Sequence, residues 1–256
     1  MADRWHPDRS RGVFETLLVV AGEPVELEAH LYRLAQSLDA VYSQELPLQT
    51  EGELRRAAEG IPLGRLRFTV APAEDGLRVD LFAGEVESET VFPARGMKLR
   101  THPVNGGLGA HKWADRRGID RPAPGEAGAL IVDGDEVLEA GWANVFAVRG
   151  GTLLTPPLDG RILPGTTRAA LVSLAAEAGI ESSERSLRSE DLLTADETFL
   201  TGSIRGIEAA EELDGSPLAG CGPLSNRLAA ALRQHWGLNH APQAAAVAPK
   251  PDLLAR

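Results

Sequence analysis

Lysine is scarce in this chain, and the scarcity singles out one amine. Only Lys98, Lys112 and Lys250 stand among 26 basic residues. Arginine serves wherever positive charge alone is needed, but its guanidinium is effectively never deprotonated, so a lysine kept against this bias points to an amine that must lose a proton or form a Schiff base. Lys98 falls in a strand-like run and Lys250 in an Ala/Pro-rich tail, which leaves Lys112, just after the loop Asn105-Gly-Gly-Leu-Gly109. The second candidate is Leu163-Pro-Gly-Thr-Thr-Arg168. A helix opening there presents free backbone N–H groups, the hydroxyls of Thr166 and Thr167 and the positive end of its dipole together, a combination that favours phosphate. Taken alone, the same tripeptide reads first as an ordinary N-cap. Cys221 has no base that can be assigned to it and reads as inert.

These residues need elements to hold them. Residues 129–133, 136–140, 144–149 and 152–155 are short runs rich in Val, Ile, Leu, Phe and Thr, divided by Asp-Gly and Gly-Gly steps, and predict a strand meander. A helix over 168–178 follows, stopped by Gly179. Upstream, the pattern predicts a strand over 13–20, a helix over 29–42 with Leu31, Leu34, Leu38 and Val41 as its apolar stripe, and a short helix over 54–58. Strands are expected over 65–71, 77–83 and 97–101. Downstream come a strand over 197–202, a glycine-flanked turn over 201–206 and a helix over 224–236. The class is mixed α/β. The expected division is an N-terminal α+β domain over 1–104, a linker over 105–110, a C-terminal domain over 111–238 and a disordered tail over 239–256.

Composition narrows the partners. With 256 residues, 43% hydrophobic and 25% charged, the chain suits a globular protein, and no apolar run reaches the length of a membrane span. The first residues show no export signal, and a single cysteine excludes an internal disulfide and suits a cytoplasmic location. A net charge of −11 argues against nucleic acid while leaving room for a local basic pocket. No metal site is expected.

Five segments in order resemble the class IV aminotransferases, the fold type IV pyridoxal phosphate enzymes, over about residues 10–213. They are Gly12-Val-Phe-Glu-Thr-Leu17; His30-Leu-Tyr-Arg-Leu34 with Ser37; His111-Lys112 with Arg116; Glu139-Ala-Gly-Trp-Ala-Asn-Val-Phe146; and the pair Leu163–Arg168 with Thr201-Gly-Ser203. The resemblance implies a two-domain fold with a barrel-like C-terminal domain and pyridoxal 5′-phosphate as cofactor. It implies Lys112 as the Schiff-base lysine and general acid–base, and Glu139 facing the pyridine nitrogen. Arg33, Thr166, Thr167 and Ser203 would bind the phosphate, with Asn144 beside them. Without the resemblance, Arg33 reads as a solvated helix-face charge, Glu139 as a turn residue, Asn144 as a turn side chain bonding its own backbone, and Lys112 as a surface lysine. His111 and Trp113 read as packing or pocket wall.

Within the family the details lean toward 4-amino-4-deoxychorismate lyase, which forms 4-aminobenzoate, a folate precursor, and pyruvate. Branched-chain and D-amino-acid aminotransferases usually place a tyrosine shortly after the lysine; here Asp115 and Arg116 stand there. Arg116, Trp142 and Arg205 are the candidate substrate contacts, arginine suiting a dicarboxylate. The runner-up is a class IV aminotransferase, and behind it a fold relic without catalysis. The resemblance also implies a homodimer, and a synthase partner that delivers the substrate is a further expectation.

Overall fold

The computed structural model describes residues 5–117, 119, 122–123 and 125–238; the expected tail lies outside them. Strands β1 (Val13–Val20) and β2 (Glu23–Pro24) open the chain, followed by helices α1 (Leu27–Tyr42) and α2 (Thr50–Ala58) and by strands β3 (Leu63–Ala73) and β4 (Gly76–Glu85). These four strands form one sheet in the order β2-β1-β3-β4. Alternation explains its faces. Leu66, Phe68 and Val70 of β3 turn toward Leu34, Leu38 and Leu54 of the helices, while Arg65 and Arg67 between them turn away.

The second unit begins with β5 (Met97–Pro103), β6 (Ala127–Asp133), β7 (Glu136–Ala140), β8 (Ala143–Arg149) and β9 (Thr152–Thr155). Helix α3 (Thr166–Glu177), β10 (Ser182–Glu184), β11 (Leu187–Arg188), α4 (Ser189–Leu193), β12 (Glu197–Gly202), β13 (Gly206–Leu213), β14 (Ser216–Pro217) and α5 (Pro223–His235) complete it. Its strands run β10-β9-β8-β12-β13-β5-β6-β7-β11, and a further β7–β8 pairing closes β8-β12-β13-β5-β6-β7 into a barrel. Leu99, Val132, Val145 and Leu200 fill the barrel, while Phe146, Val148 and Phe199 point outward under α3 and α5. With both faces covered, residues 145–148 of β8 are a continuous apolar run.

Two expectations are corrected by the pairing. The strand at 97–101 falls within the expected first unit, but β5 lies between β13 and β6 and runs parallel to both, so the chain changes sheet between Glu85 and Met97. The glycine-rich stretch at 105–110 therefore does not join the two sheets. It follows β5 within the second unit and packs on Arg161, where Gly109 N–H donates to the carbonyl and a Cβ on Gly107 would fall 2.2 Å from the same oxygen. Strand β13, Gly-Ile-Glu-Ala-Ala-Glu-Glu-Leu, was not anticipated, because its Glu and Ala favour helix.

Candidate active site

Lys112 is fixed by the backbone on either side of it. Phe14 N–H donates to the Lys112 carbonyl at 2.9 Å, Ala114 N–H donates to the Gly12 carbonyl at 2.9 Å, and Val13 bridges Trp113. The lysine loop is thereby a short extra strand on the start of β1, and the side chain enters a cleft between the two sheets. Its ammonium lies 5.0 Å from the centre of the Phe14 ring. Burial, then the cations Arg33 and Arg116, push Lys112 down to about 7, so near neutral pH it is available as a free amine.

Glu139 and Asn144 come from facing positions of a tight hairpin. They are register partners on β7 and β8, with Gly141 and Trp142 as the two-residue turn. Neither is a turn residue. Glu139 is buried, with Leu163 N–H 3.3 Å from each carboxylate oxygen, and burial outweighs that N–H and Lys112 to push the carboxyl up to about 8. Asn144 donates through Nδ2 to the Leu163 carbonyl at 3.0 Å, not to its own backbone. A Cβ on Gly165 would fall 2.0 Å from Asn144 Oδ1, so glycine is required there for close approach.

Elsewhere on the cleft, α3 starts two residues earlier than expected. Gly165 is its N-cap and provides no side-chain cap; Thr166 and Thr167 are already in the first turn. The capping reading of Gly-Thr-Thr therefore fails, and the hydroxyls serve elsewhere. Thr166 Oγ1 lies 3.2 Å from Ser203 Oγ and 3.2 Å from His30 Nε2. Thr167 Oγ1 and Thr201 Oγ1 are enclosed and have no protein partner, although both residues line the cleft. Leaving such groups unsatisfied costs about 1–3 kcal/mol each, which an oxygen-rich anion at the helix N-terminus would relieve.

Arg33 is 7% exposed, not a solvated charge. It clamps Glu15 with Nε at 2.8 Å from Oε1 and Nη2 at 2.6 Å from Oε2, and Nη1 donates to the Pro164 carbonyl at 2.9 Å. His30 Nδ1 lies 2.7 Å from Glu15 Oε2. Glu15, His30, Thr166 and Ser203 thus form one hydrogen-bonded chain into the cleft, buried except at Ser203. Glu15 and His30 were quoted in motifs but given no role. The available signal was the i, i+3 spacing of His30 and Arg33, which puts both on one helix face.

Arg33, Lys112, Arg116, Glu139, Trp142, Asn144, Thr166, Thr167 and Ser203 all line this single cleft. Arg205 does not; it lines an adjoining cavity of about 270 Å³ that shares Lys112, Arg116, Trp142 and Ser203 with the cleft. Arg65 and Arg67 of β3, which sequence reasoning did not select, line that cavity too. Arg116 donates to the Gly141 carbonyl, and Arg205 pairs with Glu208 at 3.1 Å. His111, 3.0 Å from Ser37 Oγ, and Trp113 are wall residues. Among the described residues there is no group of three His, Cys, Asp or Glu able to hold a metal ion, and no helix long and apolar enough to cross a membrane.

Residues 87–212 match the sequence profile of the amino-transferase class IV family. The branched-chain-amino-acid aminotransferase of Escherichia coli (strain K12) is 40% identical over 102 residues, which is 39% of this chain and 33% of that protein. The match therefore spans about a third of the relative's length. Among solved structures, 4-amino-4-deoxychorismate lyase from Pseudomonas aeruginosa is 28% identical, with a TM-score of 0.73 over 88% of this chain and 91% of that one. A hypothetical aminotransferase from Mycobacterium tuberculosis in its PLP-bound form is 25% identical, with a TM-score of 0.78 over 90% of each chain. With the lysine loop, the glutamate hairpin and the start of α3 at one cleft, residues 87–212 carry the class IV aminotransferase profile and the chain has the fold of that family's pyridoxal phosphate enzymes.

Proposed function

We propose that the protein is a pyridoxal phosphate-dependent lyase that converts 4-amino-4-deoxychorismate to 4-aminobenzoate and pyruvate. The observation that carries this reading is the cavity beside Lys112, whose wall includes Arg65, Arg67, Arg116 and Arg205 with Glu208 as its one carboxylate. In a chain of net charge −11, so many arginines around one space are not an effect of composition. A branched aliphatic side chain gains little from such a wall, whereas a substrate with two carboxylates gains charge-assisted hydrogen bonds.

The donor set fits the cofactor. Arg33, the α3 N-terminus and the free hydroxyl of Thr167 would hold the phosphate, with Thr166 and Ser203 beside them; Glu139 would hold a proton at the ring nitrogen, and Asn144 would fix the loop that carries Gly165. Bound there, the cofactor supplies a Schiff-base carbonyl and an electron-accepting ring. Lys112, an amine near neutral pH, takes the proton from the amine-bearing carbon of the substrate. The C–O bond on the neighbouring carbon breaks, the ring becomes aromatic, and Lys112 returns the proton to the departing enolpyruvate. Atoms balance with no further reactant.

The second reading, an aminotransferase, is favoured by the identity to the branched-chain enzymes, and a dicarboxylate amino donor would also suit the arginines. A relic without catalysis accounts for neither an amine whose charged form burial disfavours at Lys112 nor the buried Glu139. We also propose a homodimer. On edge strand β4, Phe82 is 53% exposed and pairs in register with Arg67, so a second copy laid on this edge would roof the arginine cavity. A synthase that hands over the substrate remains part of this proposal.

The test is purified protein with added pyridoxal phosphate, wild type beside Lys112→Ala, given 4-amino-4-deoxychorismate or an amino-acid and keto-acid pair. A Lys112-dependent visible band with equal release of pyruvate and 4-aminobenzoate is expected. Keto-acid exchange without 4-aminobenzoate would replace the lyase by the aminotransferase, and absence of the band would remove the cofactor assignment.

A further inference from the structure

The arm that precedes β1 reaches the cleft. Trp5 packs against the apolar cluster that contains Leu108, Ile119, Leu138 and Ile162, and it lines the same cleft as Lys112 and Glu139. Its indole Nε1 is fully enclosed and has no protein acceptor. An enclosed donor of this kind is costly unless a bound molecule accepts from it.

The arm is held in place by Asp115, whose side chain has no exposed surface. Asp8 N–H donates to Asp115 Oδ2 at 2.9 Å and Arg11 approaches Oδ1 at 3.4 Å, while Arg117 grips both oxygens at 2.8 and 2.6 Å. Farther along, Tyr42 donates its hydroxyl to the Arg9 carbonyl at 2.7 Å. Asp115 lies three residues beyond Lys112, and Trp113 between them bridges Val13. The arm, its latch and the lysine loop are therefore one mechanical unit.

We infer that Trp5 is a ligand-binding residue of this cleft, brought there by the arm and latched through Asp115, and that its indole N–H donates to an oxygen of the bound molecule. The acceptor is a phosphate, phenolic or carboxylate oxygen, which the cofactor and the carboxylate substrate both carry. The inference rests on the reading of the cleft as a pyridoxal phosphate site.

The experiment compares the full-length wild type with Trp5→Phe, Trp5→Ala, Asp115→Asn and the Trp5→Ala/Asp115→Asn double variant. Each is titrated with pyridoxal phosphate by absorbance and, once loaded, with 4-aminobenzoate; hydrogen exchange is followed over residues 8–12 and 108–117. Trp5→Phe keeps the apolar ring and loses the donor, and is expected to bind one of the two ligands about five- to tenfold more weakly, the ligand affected identifying the acceptor. Trp5→Ala should lose at least as much. Asp115→Asn should speed exchange at Asp8 and weaken the same ligand, and the double variant should be no worse than Trp5→Ala, because both changes act through one contact. Wild-type affinity of Trp5→Phe for both ligands, or additive losses in the double variant, would overturn the inference. If the wild type itself shows no Lys112-dependent band, the cofactor reading fails by itself. Titration of the same variants with inorganic phosphate and 4-aminobenzoate then decides on Trp5 by the same comparison.

Discussion

Arg33 is oriented by Glu15, which it clamps through Nε and Nη2. Burial alone would raise the Glu15 carboxyl, but Arg33 and then His30 outweigh it and hold the group at about 2. A carboxylate depressed from 4.5 in this way contributes stability that is fully present above 4.5 and is lost as pH falls from there toward 2. Glu15→Gln should therefore flatten the acid limb of the stability curve. At neutral pH it should destabilise the protein by about 3 kcal/mol in urea unfolding, because a guanidinium is left buried without its counter-charge. Saturating pyridoxal phosphate should recover part of that deficit by returning negative charge to Arg33. A variant as stable as wild type, with an unchanged acid limb, would contradict the buried pair. At this scale the sequence led to the cleft where a motif names a residue type: Lys112, Arg33 and Glu139 all line it. It was least legible at Glu15, whose role depends on a helix side chain that only the fold brings beside it.

Elements with covered faces were the easiest to read, and those held by single polar contacts the hardest. Strands β7, β8 and β9 and helix α5 stand out by apolar pattern, but nothing local predicts that Glu197 at the start of β12 anchors α5. Its buried carboxylate accepts from Gly222 N–H at 3.0 Å, Leu224 N–H at 2.8 Å and Ser225 N–H at 2.8 Å, in place of a side-chain cap from Gly222. Leu228, Leu232 and Trp236 of this segment then pack on the outer barrel face. Glu197→Ala should cost about 2–4 kcal/mol of stability, since it frees the N–H groups of Leu224 and Ser225 at the start of a helix packed on the barrel and leaves Gly222 N–H only the Ser225 hydroxyl. Hydrogen exchange should rise first at residues 222–226, and a change below about 0.5 kcal/mol would show the anchor to be dispensable. Strand β13 escaped notice for a related reason. Its composition favours a helix, and the pairing with β12 and β5 overrides that preference while Arg205 answers the buried Glu208.

Across the whole molecule, the arginine-lined cavity exists only because two units meet. Arg65 and Arg67 come from the outward face of β3, and Arg205 from the turn between β12 and β13, some 140 residues later. The alternation of Arg65, Leu66, Arg67 and Phe68 does reveal two arginines opposite the core, but not what they face. That information belongs to the docking of the sheets, and the misassignment of β5 is the same failure. The docking sets a local field against the global one: a protein of net charge −11 repels a dianion at a distance and attracts it at the cavity mouth. Exposed interactions of this kind are screened over about 10 Å at 0.1 M salt. Raising salt from about 20 to about 500 mM should therefore raise KM for a dicarboxylate substrate by about tenfold, with kcat little changed. Arg67, with its guanidinium 4.0 Å from the centre of the Phe14 ring, is the member to remove. Arg67→Ala should raise KM at low salt and flatten its salt dependence, leaving KM for an uncharged amine unaltered. A salt-independent KM in the wild type, or an Arg67→Ala variant with the wild-type slope, would mean that the arginine wall does not select the substrate.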